Sequence, residues 1–292
     1  MQLDAVTSKG SFVRQDSAFR SMEVEPVAGR YHLYVSLACP WAHRTIIVRM
    51  LKGLQDAIGL TVVDPLRDDL GWRFLAPEAR YGWEYLSEAY ALTDPDWSGR
   101  VTVPVLWDEQ ERRIVNNESA DVVVLLNEAF DAVAADPGLD LYPAALRPEI
   151  DELNAWVYDT VNNGVYKSGF ATTQTAYDEA VTALFASLDR LEERLAQSGD
   201  PFLFGAEPTL ADWRLFPTLV RFDAVYVGHF KCNLRRIADH EHLSAYLRRL
   251  YQWPGVAETV DFDHIKRHYY MTHPSINPSR IVPAGPLQDL GR

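Results

Sequence analysis

The chain has 292 residues, 47% of them hydrophobic and 12% aromatic, enough to bury a sizeable core in two domains and to exclude wholesale disorder. Its net charge of -13 argues against nucleic acid and against an anionic membrane surface as partners. Two cysteines, Cys39 and Cys232, give no disulfide framework and fit a reducing compartment.

Residues 1–30 read as an irregular arm, rich in polar and small residues, with no apolar signal core. No later run approaches the roughly eighteen apolar residues of a membrane span, so the cytoplasm is the expected location. Tyr31, Leu33, Val35 and Leu37 alternate at period two, and Ile46, Ile47, Met50, Leu51 and Leu54 then recur at helical spacing. The turn between strand and helix carries Cys39, and Pro40 suits the first helical position. Cys39 is therefore expected at the helix N-cap, where unpaired N–H groups and the helix dipole favour a thiolate. An ordinary thiol of pKa about 8.5 is only a few per cent ionised at pH 7, and a drop of about two units makes it mostly thiolate. One helix end supplies part of that drop, so further donors near the sulfur are expected. In Cys39-Pro40-Trp41-Ala42 the place of a second, resolving thiol is taken by Ala42. A mixed disulfide on Cys39 would need a thiol from outside, which points to glutathione as co-substrate. The plain alternative is a buried structural cysteine that happens to precede a helix.

Leu60–Asp64 is a second short strand, and with the first strand and its helix it makes a parallel βαβ unit. Residues 65–100 show no clean period and read as a long surface excursion, a kind of segment often functional. Val101–Asp108 is strand-like but holds Pro104, which argues for an edge or a bend, a cis bond being one option. In that case the backbone of Val103 can pair with an extended ligand. Arg113–Val115 follows as an antiparallel strand, and Asn116-Asn117-Glu118-Ser119 opens a helix with Val122, Val123, Leu125, Leu126 and Phe130 on its apolar face. This βαβ–ββα order is the thioredoxin-like pattern. Residues 131–146 read as a linker. Helices are predicted over 147–163, 175–197, 209–223, 240–251 and 256–268, the third opened by Thr209 and Asp212 as a capping-box variant. The expected domains are 31–132, α/β and thioredoxin-like, and 147–271, all-helical, followed by an extended proline-rich tail, 272–292.

The whole chain resembles the glutathionyl-hydroquinone reductases, the Xi class of glutathione transferases. The resemblance rests on Cys39-Pro40-Trp41-Ala42, Gly71-Trp72-Arg73-Phe74, Arg100 to Trp107 and Asn116-Asn117-Glu118-Ser119. Further on it rests on Asn162-Asn163-Gly164-Val165-Tyr166, Leu219-Val220-Arg221-Phe222-Asp223, Tyr226, His229-Phe230-Lys231-Cys232 and Phe262-Asp263-His264-Ile265. Ordinary glutathione transferases share the fold and the proline at 104 but commonly use Tyr or Ser in place of the cysteine. The resemblance implies a glutathione transferase fold and reduction of a glutathionyl-hydroquinone by glutathione, giving hydroquinone and glutathione disulfide. It implies a homodimer and no metal or bound redox cofactor.

On that footing Cys39 is the nucleophile, Tyr166 the proton donor or acceptor, and Tyr226 and Tyr269 the hydroxyls that lower the cysteine pKa. Glu118 would take the ammonium of glutathione, and Ser119 with the following helix N-terminus its carboxylate. Val103 before Pro104 would pair with its cysteinyl backbone, Arg100, Val101 and Thr102 would lie close by, and Trp72 would pack on it. The plain alternatives are packing for the tyrosines and Trp72 and a simple helix cap for Glu118-Ser119. His264, His268 and His273 have metal-like spacing but no HExxH pattern, so no metal is expected. Arg235-Arg236 and Arg248-Arg249 read as solvated or paired, and Cys232 as a buried thiol. Competing functions are an Omega-like thioltransferase or dehydroascorbate reductase, a non-catalytic binding protein on the same fold, and, more weakly, classical glutathione conjugation.

Overall fold

The computed structural model describes residues 5–291. They group into two units, one of Gln15–Asp140 and Thr259–His268, the other of residues 5–14, Leu141–Glu258 and residues 269–291. The arm is thus divided. Its first part forms a small antiparallel hairpin, β1 (Ala5–Val6) and β2 (Phe12–Val13), which belongs with the second unit. Gly10 turns that hairpin at φ 87°, and a Cβ there would lie 2.7 Å from Thr173, so only glycine fits.

The first unit is built on β3 (Tyr31–Val35), α1 (Pro40–Leu51) and β4 (Ile58–Asp68). β3 and β4 run parallel, Tyr31 opposite Ile58 through Val35 opposite Val62, with α1 as the crossover. All five residues of β3 are buried, as expected of a strand covered on both faces. β5 (Gly71–Phe74) returns antiparallel to β4, and a short helix, α2 (Ser87–Thr93), follows. The stretch 65–100, expected to lack regular structure, therefore holds the end of β4, an edge strand and a helix. Elements of four and seven residues are too short to print a period. β6 (Val105–Asp108) and β7 (Arg113–Asn116) complete the sheet, in the order β5-β4-β3-β6-β7, both pairings of β6 being antiparallel. The strand expected from Val101 begins only at Val105, just after Pro104, which has no N–H to give to a ladder; the Val103–Pro104 bond is cis. α3 (Ser119–Glu128) packs on α1.

The second unit is helical apart from its hairpin. α4 (Arg147–Val157) passes into a π-turn at Tyr158–Asn162 and then a separate α5 (Gly164–Gly169), where one helix to 163 was expected. α6 (Gln174–Ser198) is capped by Thr173, ends at Gly199 with φ 69°, and buries Val181, Leu184, Leu188, Leu191 and Leu195 on one stripe. α7 (Leu210–Arg221) opens with the Thr209–Asp212 capping box and ends in a π-turn, Phe222–Tyr226. Asp212 is fully buried and accepts from the backbone N–H groups of Leu203 and Thr209 and from the hydroxyls of Thr209 and Tyr246. Burial raises its pKa against those hydrogen bonds. α8 (Glu241–Tyr251) follows. α9 (Phe262–Thr272) starts six residues later than expected and runs past 268, and the residues on its two sides of His268 belong to different units. No helix among the described residues is long and apolar enough to cross a membrane.

Candidate active site

Cys39 stands at the N-cap of α1, its backbone extended at φ -78° and ψ 119°, with Pro40 in the first turn and no acidic side chain there. Its N–H closes the preceding turn onto the Ser36 carbonyl at 3.1 Å. The thiol is half-buried and donates to the Val103 carbonyl at 3.5 Å. Two residues expected at the site, Cys39 and Val103, are thus neighbours, although 64 positions separate them. A sulfur at the positive end of a twelve-residue helix, beside a strand-like backbone segment, suits a thiolate exchanging disulfides with a peptide-like thiol.

A buried hydroxyl holds the Arg100–Pro104 segment. Tyr90 of α2 accepts from the Thr102 N–H at 3.1 Å, donates to the Thr102 carbonyl at 2.9 Å, and receives the Asn117 amide at 3.0 Å. The excursion that showed no period therefore supplies the side chain that sets this loop against Asn117. Glu118 is the N-cap of α3 and accepts from the Ala120 N–H at 3.0 Å, while its other oxygen accepts from the Ser17 hydroxyl at 2.9 Å. Ser119 is buried, and the Arg44 guanidinium reaches its hydroxyl at 3.4 Å while lying 4.6 Å over the Trp41 ring. Arg44 is itself 1% exposed. A charged residue inside the apolar run of α1 was the available sign of this link, whereas nothing marked Ser17 or Tyr90.

Residues 259–268 brace the same unit. His43 is hydrogen-bonded to the Thr259 hydroxyl at 2.7 Å and His264 to the Ser36 hydroxyl at 3.3 Å, immediately before the Cys39 turn. His268 is hydrogen-bonded to the Pro65 carbonyl at 2.7 Å, and its ring stacks on Trp72 at 5.0 Å. The helical spacing of His264 and His268 thus serves packing and hydrogen bonding. No group of three or more His, Cys, Asp or Glu side chains arranged to hold a metal occurs among the described residues. Trp72 is buried, with the Arg67 guanidinium 5.8 Å from its ring centroid.

The expected tyrosines meet in the second unit. The Tyr269 hydroxyl is hydrogen-bonded to that of Tyr166 at 2.5 Å and to that of Tyr226 at 3.1 Å. Burial, first among the causes, holds the Tyr226 and Tyr269 phenols well above their usual pKa, so both stay protonated and able to donate. Phe230 and the hydrogen-bonded pair His229–His273 flank them. Cys232 is buried against the carbonyls of Val165 and Phe230, and burial pushes its thiol up to about 12.

The family models of the glutathione S-transferase N-terminal and C-terminal domains match residues 38–129 and 174–249. The chain is 53% identical to glutathionyl-hydroquinone reductase PcpF of Sphingobium chlorophenolicum, over 98% of this chain and 93% of the relative. The crystal structure of the glutathione-S-transferase Xi from Phanerochaete chrysosporium superposes with a TM-score of 0.93 at 50% identity, covering 97% of this chain and 95% of that one. The glutathione-bound structure of YqjG, a glutathione transferase homologue from Escherichia coli K-12, gives 0.88 at 54% identity, over 92% and 88%. With identity and shape agreeing over nearly the full length of each chain, this protein belongs to the glutathionyl-hydroquinone reductases, the Xi class of glutathione transferases.

Proposed function

We propose that this chain reduces S-glutathionyl-hydroquinones to hydroquinones with release of glutathione disulfide, through a mixed disulfide on Cys39. The observation that carries the reading is Cys39 at the N-cap of α1, with its sulfur beside the Val103 carbonyl. In the proposed cycle the Cys39 thiolate attacks the sulfur of the glutathionyl adduct. The carbon–sulfur bond breaks, the aromatic carbon keeps the electron pair, and a proton delivered by Tyr166 completes the hydroquinone. The thiolate of a second glutathione then attacks the glutathione sulfur of the mixed disulfide, releasing glutathione disulfide and restoring the Cys39 thiolate. One glutathione is consumed for each adduct, and no other oxidant or reductant is needed.

Tyr226 and Tyr269 are proposed as the hydroxyls that favour the thiolate. Glutathione is proposed to lie along Arg100, Val101, Thr102, Val103 and Pro104, with its ammonium at Glu118, its carboxylate at Ser119 and Trp72 packing on it. A relative of known structure binds glutathione, by its description, which supports glutathione as the co-substrate. A homodimer acting in the cytoplasm completes the proposal.

The test follows release of free hydroquinone from glutathionyl-menadiol or glutathionyl-p-hydroquinone with excess glutathione. The parent protein should release it and Cys39→Ala should not. Absence of release by either, with glutathione binding intact, would overturn the reading and favour Omega-like thioltransfer or simple binding.

A further inference from the structure

A cation lies on the face of the tyrosine proposed as proton donor. The Arg14 guanidinium is 4.7 Å from the centroid of the Tyr166 ring and 5.3 Å from that of Phe12. Its Nε donates to the side-chain carbonyl of Asn163 at 2.9 Å, and Asn163 is the N-cap of α5, the helix that carries Tyr166 three residues on. The guanidinium is therefore oriented by the same short segment whose phenol it covers.

The hairpin that delivers Arg14 is fastened at its other end as well. The Thr172 N–H donates to the Gly10 carbonyl at 3.1 Å, the Thr173 hydroxyl donates to the Lys9 carbonyl at 2.9 Å, and Gly10 leaves no room for a Cβ against Thr173. Phe12 stacks on Tyr166 and on Phe170. An arginine held at both ends of its segment over an aromatic face is attracted to that ring and favours negative charge on it.

We propose that Arg14 is a positioning residue for Tyr166, holding its ring and stabilising the phenolate left when the proton passes to the hydroquinone carbon. This rests on the reading of Tyr166 as the donor. The other described groups near Tyr166 act differently. The Tyr269 hydroxyl is hydrogen-bonded to that of Tyr166 and, in turn, to that of Tyr226, and burial keeps both Tyr269 and Tyr226 neutral. Arg221 lies at the end of α7, where its charge acts on those two phenols. His229, beside Tyr269, is held down to about 4 by burial and is uncharged at neutral pH, and its partner His273 stacks on Phe230.

Three proteins separate charge from packing: the parent, Arg14→Gln, which keeps a donor for Asn163 but no charge, and Arg14→Lys, which keeps the charge. Hydroquinone release from glutathionyl-menadiol is followed against pH, and tyrosine labelled with carbon-13 at Cζ reports ionisation directly by NMR, the Tyr166 signal being assigned by its loss in Tyr166→Phe. Arg14→Gln should lower the plateau kcat about tenfold and move both the alkaline limb and the Tyr166 titration up by about one pH unit or more, with Arg14→Lys staying near the parent. A Tyr166 signal that titrates at one pH in parent and Arg14→Gln, or in neither, overturns the proposal, as does a Lys variant indistinguishable from the Gln variant. A shifted Tyr166 titration in a protein that releases no hydroquinone upholds Arg14's effect and sinks the proposed reaction instead. Circular dichroism melts establish that each variant folds.

Discussion

At the scale of single residues, the proposed glutathione end of the site is the sharpest test of how the chain uses its side chains. Both oxygens of Glu118 are engaged, one by the Ala120 N–H and one by Ser17. The carboxylate is thus held still before any ligand arrives, and a held charge loses less freedom on binding. Glu118→Gln should weaken glutathione by about tenfold to a hundredfold, the share of a charge-assisted hydrogen bond worth roughly 1.5–3 kcal/mol. Isothermal titration would measure it, and an affinity within twofold of the parent would remove Glu118 from the ammonium's site. The position of Cys39 was legible in the sequence, because a proline and a helical period directly after it define a helix start. Its contact with Val103 was partly legible through Pro104. Ser17 was not, since its bond to Glu118 bridges 101 positions and a serine in a polar arm carries no pattern.

Elements follow the same division between local and distant causes. α6 was predicted over 175–197 and found over 174–198, because a five-residue apolar stripe between a threonine cap and a glycine needs no help from elsewhere. β5 and α2 were missed, being too short to show a period and owing their place to β4 and to the Tyr90 network. The breaks at 158–162 and 222–226 are π-turns, invisible to a test for period 3.6. α7 shows how one side chain serves both levels. Asp212 closes the cap predicted from sequence and also bonds Leu203 and Tyr246, all out of water. Thr209→Ala should cost about 1 kcal/mol as an ordinary cap loss. Asp212→Ala leaves several buried donors without an acceptor and should cost about 3 kcal/mol or more. Urea midpoints decide, and an Asp212 variant more stable than the Thr209 variant would refute the argument.

At the level of the whole molecule, the parallel βαβ start and antiparallel finish were read from the order of apolar runs, and so was the all-helical second half. We propose 31–132 and 147–271 as the two domains, with 1–30 and 272–292 as flanking segments. What sequence could not tell is that residues 259–268 pack with the first unit and 5–14 with the second. Those assignments depend on side-chain pairs such as His43–Thr259 and Ser36–His264, more than two hundred positions apart. The buried histidines also give the molecule a pH response. Burial, with Arg80 and Arg49 adding to it, lowers His32 to about 3, and burial with Lys231 lowers His229 to about 4. The unfolded chain binds protons at these histidines near pH 6.5, whereas the folded chain does not until far lower. Their share of stability is therefore full above about 6.5 and falls as pH drops toward 4, by up to about 1.4 kcal/mol per unit for each. His32→Gln should flatten that slope in urea titrations at pH 7, 6 and 5, and an unchanged slope would count against it.

The two thiols have different fates. Ala42 stands where a partner thiol would be, and Cys232 is sealed in the helical unit with its proton held to about pH 12. In the proposed cycle the chain then stores no electrons between turnovers. It has no internal oxidised form to rest in when glutathione runs low, only an adduct that waits. Its output would follow the ratio of reduced to oxidised glutathione around it, so the protein would behave as a follower of the surrounding thiol balance, slowing when that balance fails.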